Sequence, residues 1–105
     1  MNKIKELEKL ELHDANVLQL NIDLSNKTIT ISFEILNQHK SLIFQNFENL
    51  KYSGIESINE LEINTVNFKY LDGIYDGEFI FLIGFGLPSV TLSFKFMDFE
   101  IIDLK

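Results

Sequence analysis

The chain has 105 residues, 16 acidic side chains against 9 lysines, no arginine, no cysteine, and ten phenylalanines. That length suits one domain, residues 1–105, with one core, and the missing cysteines exclude disulfides and thiolate zinc sites. A formal net charge of −7 opposes nucleic-acid binding, which rests on clustered basic residues against phosphates; it suits a basic protein as partner, although a charge that simply keeps a small protein soluble is the commoner reading.

Hydrophobic residues make up 46% and charged residues 24%, a globular composition that argues against disorder. No run of about 18 apolar residues exists, so no membrane-spanning helix is expected. The charged opening MNKIKELEKLELHD lacks the apolar region of a secretory signal, and a cytoplasmic location is the expectation.

In "NKIKELEKLEL", Ile4, Leu7 and Leu10 recur three apart, which predicts one or two helical turns. Leu10 and Leu12 also alternate, leaving an extended lead-in as the alternative. A strand pair follows. Leu18, Leu20, Ile22 and Leu24 share one face, and Ile29, Ile31, Phe33 and Ile35 share one after "SNKT". With Asn26 and Lys27 as a two-residue turn, Leu20 falls opposite Phe33 and every apolar residue points the same way. A longer loop is the alternative, because lysine is less suited than glycine to the second turn position.

"NQHK" reads as a second turn, and "SLIFQNF" as a strand with Leu42 and Phe44 on one face. Gly54 marks a bulge or turn. "ESINELEIN" is undecided. Ser57 and Glu60 have capping-box spacing, whereas Leu61 and Ile63 alternate. Asp72-Gly73 and Asp76-Gly77 are both turn dipeptides. The stretch from Glu78 to Phe85 is apolar on both faces, which places it centrally in a sheet. "GLPS" closes a hairpin, and "SVTLSFKF" sends Val90, Leu92, Phe94 and Phe96 inward. Near Met97 and Asp98 the phase changes, as a bulge would require.

Little in the sequence carries chemistry. A catalytic histidine needs an orienting acid and a substrate or nucleophile. Adjacent residues on an extended chain point to opposite faces, so His13 and Asp14 do not form such a dyad by themselves. The simpler reading is structural: Asp14 caps the start of a strand through an Asx-turn, and His13 bonds a backbone carbonyl nearby. The pair remains the alternative functional site. His39 lies in a polar turn. A zinc site would need three or four ligands, and neither a metal nor a cofactor is expected. "GFGLPS" lacks the remaining glycine and the lysine of a phosphate-binding loop. Alternating aromatics could stack on bases, but at this charge they read as core. Glu56, Glu60 and Glu62, in an irregular middle segment, are the candidate binding residues, since irregular connections carry recognition more often than regular sheet faces. The polar outer residues of the first hairpin, Asp23 and Glu34 among them, offer a second acidic face.

The pattern Leu12-His13-Asp14-Ala15, followed by a strand, a turn and a β-branched strand, resembles a loose group of small bacterial domains. These begin with Leu-His-Asp and a small residue and run on in antiparallel strands. Some are similar to immunity proteins, which neutralise toxins passed between competing bacteria. The likeness covers mainly residues 12–35. It implies a binding role in a bacterial cytoplasm and assigns no catalytic residue.

The expected fold is mainly β, with α+β as the alternative: one twisted antiparallel sheet of about six to eight strands, curled into a half-barrel or sandwich, with one or two short helices. The expected function is that of a small acidic binding protein, an immunity-type inhibitor at its most concrete. The alternative is a small enzyme or small-molecule binder whose polar groups converge only on folding.

Overall fold

The computed structural model describes residues 4–10, 12, 13, 15–53, 61–83 and 90–104. One short helix, α1 (Ile4–Glu8), precedes eight strands: β1 (Asn16–Asp23), β2 (Thr28–Ile35), β3 (Gln38–Gln45), β4 (Glu48–Ser53), β5 (Leu61–Leu71), β6 (Ile74–Ile83), β7 (Val90–Phe96) and β8 (Asp98–Leu104). They form a single antiparallel sheet in the order β4-β7-β6-β5-β1-β2-β3-β8. The mainly β architecture read from the alternation therefore holds, and the apolar strand β6 is internal, paired to β5 and β7.

The order forces a bend. β3 and β4 stand six places apart in the sheet, as do β7 and β8. Six inter-strand spacings in a flat sheet would be roughly 29 Å. Yet Gln45 and Glu48 are joined by two residues and Phe96 and Asp98 by one, a reach of about 11 Å at most. The sheet must fold back until its two ends meet. The pairing registers show how. Gln45 opposes Asp98 and Glu48 opposes Lys95, so one offset runs unbroken through the corner, where the Met97 N–H donates to the Gln45 carbonyl at 3.0 Å. β3 with β4, and β7 with β8, are thus two long strands, each bent once. The sheet stays open, with β4 and β8 as its ends, and β1 meets β5 through one ladder pair, Asn16 with Glu62.

The bend encloses a core of aromatic rings. Phe33, Phe44, Phe79, Phe81, Phe94 and Phe96 are fully buried. Phe44 is central, with its ring 4.7 Å from Phe96, 5.0 Å from Phe94 and 6.0 Å from Phe79, each edge to face, the arrangement that ring quadrupoles favour. α1 sits between β5 and β8. Leu7 and Glu8 border a groove with β5, and Glu6 borders another with β8. Leu7, 1% exposed, is the helix's buried residue.

Four details differ from the sequence reading. The first hairpin has a four-residue loop at residues 24–27, with Asp23 opposite Thr28 and Leu20 opposite Ile31. Asp23 holds that loop by accepting from the Ser25 and Asn26 backbone N–H groups and the Asn26 side chain. Leu24, placed in the core by the two-residue turn, is thus exposed in the loop, and a bulge between Val17 and Gln19 turns Val17 inward opposite Phe33 and leaves Leu18 exposed. The second turn is Leu36 and Asn37, both at positive φ, and Gln38, His39 and Lys40 already belong to β3. Asp76-Gly77 is not a turn but mid-strand in β6. Gly77 lies close under two rings: a Cβ there would be 3.3 Å from both Phe68 and Phe96. Gly54, the Ser57–Glu60 capping box and "GLPS" lie outside the described residues.

Candidate functional site

His13 lies between two buried neighbours, Leu12 and Ala15, in a turn closed by the Ala15 N–H on the Leu12 carbonyl at 3.0 Å. Its Nδ1–H donates to the carbonyl of Asn64. Asn64 is the residue that the β5–β6 ladder skips at a bulge between Ile63 and Thr65. Bulges leave backbone groups without ladder partners, and such groups must be satisfied. His13 therefore ties the lead-in of β1 to the bulge of β5, beside the Ile63 N–H bond to the Ala15 carbonyl at 2.8 Å. Thr65 Oγ1 donates to the Asn64 side-chain oxygen at 2.9 Å. Together these reinforce the short β1–β5 seam. His13→Ala should lower stability by about 0.5–1.5 kcal/mol, read as a fall in the urea midpoint, with faster amide exchange at Ile63.

The groove beside His13, about 460 Å³, is open and bordered by Leu7, Glu8, Leu12 and residues 64–68. Among the described residues that border it, Glu8 is the one carboxylate. Asp14 lies outside the described residues. His39 is elsewhere, directly opposite Glu34 on β2, with Nε2 3.0 Å from Oε2. Next to it Lys40 pairs with Asp103 of β8 at 3.1 Å. Both pairs are partly exposed and belong to the class of cross-strand contacts worth about 0.2–1 kcal/mol. The two histidines thus serve separate strand junctions. Among the described residues no three His, Asp or Glu side chains are grouped to hold a metal.

Of the acidic candidates, Glu56 and Glu60 lie outside the described residues. Glu62 is on β5 between Asn16 and Leu82, partly exposed, and outward because its neighbour Ile63 is buried. Asp23 is already engaged by its loop, and the hydrogen bonds from Asn26 and Ser25 hold its carboxyl below the usual range.

The acids that stand together are ones the sequence reading did not single out. Asp98 and Glu100 share one face of β8, and Glu6 of α1 borders the same groove as Glu100, whereas Asp103 lies on the other face and pairs with Lys40. The signal was legible as three acids within seven residues, but nothing in the sequence said that this strand is an end of the sheet. The outer face of β5, β6, β7 and β4 is different. There Lys69, Asp76, Lys95 and Glu48 oppose one another in register, so charge alternates strand by strand and the face is mixed.

No protein-family model matches the chain, and no curated protein sequence matches it.

Proposed function

We propose that the chain is a small binding protein that docks a basic protein through its acidic surface, most concretely an immunity-type inhibitor that covers the substrate-binding surface of a toxin in a bacterial cytoplasm. The observation that carries this reading is that Glu6 and Glu100 border one groove at an end of the sheet on a chain of net charge −7. An acidic face of this kind speeds encounter with a basic partner and rejects acidic ones. The middle segment carrying Glu56, Glu60 and Glu62 is the second candidate face. A filled aromatic interior and open grooves suit surface recognition better than enclosure of a small substrate.

The test is affinity capture from the source cell, followed by charge reversal. The captured partner should be basic. Glu6→Lys with Glu100→Lys should slow association if the β8 end is the face, and Glu56→Lys, Glu60→Lys and Glu62→Lys should do so if the middle segment is. An acidic partner, or a rate unchanged by both sets, contradicts the reading.

A further inference from the structure

We infer that Asp72 is a site of covalent change: its side chain condenses with the Gly73 backbone nitrogen, and the residue isomerises to isoaspartate. The sequence holds two Asp-Gly dipeptides, Asp72-Gly73 and Asp76-Gly77. Both have the same local chemistry, with no side chain on the second residue to hinder the attack. The fold sets them apart.

The step needs no partner but water. The Gly73 nitrogen attacks Cγ of the neutral Asp72 carboxyl and a C–N bond forms. The nitrogen's hydrogen and the carboxyl's hydroxyl leave as water, closing a succinimide ring. Water then opens the ring. Attack at the former side-chain carbonyl restores aspartate. Attack at the backbone carbonyl leaves the chain running through Cβ, which is isoaspartate. One water leaves and one enters, so the mass is unchanged and nothing is oxidised or reduced.

The turn between β5 and β6 supplies the geometry. Leu71 pairs with Ile74, so Asp72 and Gly73 are the two central residues, exposed, with φ of 52° and 82°. Positive φ at both positions is the type I′ hairpin turn. The peptide between them lies outside the ladder, and a Cβ built on Gly73 would meet nothing within 4 Å. Flipping that one peptide converts the turn to type II′, in which the first central residue takes a ψ of about −120°. At that angle the Gly73 nitrogen eclipses the Asp72 Cβ and comes within reach of Cγ. The Leu71–Ile74 pair need not open.

Asp76-Gly77 has no such freedom. It lies inside β6, with Asp76 between Lys69 and Lys95 and Gly77 between Phe68 and Phe94. In an internal strand each backbone N–H points at a neighbouring strand, so the Gly77 nitrogen is committed to the ladder. The rings of Phe68 and Phe96, 3.3 Å from where a Cβ would stand, crowd any rotation there.

The experiment keeps the full chain folded at neutral pH and physiological temperature, beside a sample in guanidinium chloride. Isoaspartate is counted by methyl transfer with an isoaspartate-specific carboxyl methyltransferase and located by electron-transfer fragmentation, which distinguishes the isomers. In denaturant both positions should react at similar rates. In the folded chain Asp72 should isomerise at least about tenfold faster than Asp76, because a turn fluctuates at far lower cost than an inner strand opens. Asp72→Asn, which keeps a residue suited to the turn, and Asp76→Asn give a second readout, since asparagine forms the same ring with loss of ammonia and gains mass on hydrolysis. The first variant should deamidate while folded and the second should wait for denaturant. Similar rates at the two positions in the folded chain, reaction at Asp76 alone, or no isoaspartate at Asp72 while the denatured sample accumulates it, would each overturn the inference.

Discussion

Replacing Phe44 with alanine should cost about 3–5 kcal/mol of stability, the range for a large buried ring whose removal leaves a cavity. The position sits at the upper part of that range because four other rings, Phe68, Phe79, Phe94 and Phe96, pack against this one. They belong to three strands, β5, β6 and β7, on the part of the bent sheet remote in order from β3. Phe44 therefore joins the two arms of the bend. No single neighbour can collapse into the space without leaving its own contacts, since close-packed interiors relax only in part. Chemical denaturation of wild type and Phe44→Ala, with Phe44→Leu as a smaller truncation, checks this. A loss below about 1 kcal/mol would place Phe44 at the periphery and remove the central-ring account.

The second large effect is expected at Leu7. A helix of five residues has no stability of its own, because nucleation is costly and propagation here is short. α1 persists through what it buries, and its buried residue is Leu7. Leu7→Ala should cost about 2–5 kcal/mol if the helix stays docked over the core. Detachment would limit the measured loss, but would show as fast amide exchange in α1 and new exposure beside Val66 and Phe68, which border the groove next to Leu7. A variant with neither a stability loss nor faster exchange in α1 would mean that the helix does not seal that side of the sheet.

The faces of the strands were legible because strand periodicity reports burial directly. Ile29, Ile31 and Phe33 point inward as the alternation requires, and so do Leu92, Phe94 and Phe96. Register was less legible. The run Leu18, Leu20, Ile22, Leu24 fits a two-residue turn, and only the capture of two backbone N–H groups by Asp23 selects a longer loop. Val17 lies on the other parity, and a bulge is needed to bring it opposite Phe33.

Sheet order was legible only for β6, whose two apolar faces placed it inside the sheet; elsewhere periodicity names a face and never a neighbour. The phase change at Met97 was visible, but not its result, which is to carry β8 to the far end of the sheet from β7. The site followed the same division. A nearby backbone carbonyl was the expected partner of His13; the partner is a backbone carbonyl, but that of Asn64, 51 residues away in the chain. The acidity of β8 was written in the sequence, while its place at a sheet edge depended on the corner.

The central claim, an acidic surface built to meet a basic protein, is tested most directly by the association rate constant of the captured partner measured across a range of salt concentrations. Screening shortens the reach of surface charge from roughly 10 Å at 0.1 M to about 3 Å at 1 M. If the acidic face steers encounter, the rate should fall steeply over that range while dissociation changes little. A rate indifferent to salt, or one that rises with it, would contradict the account.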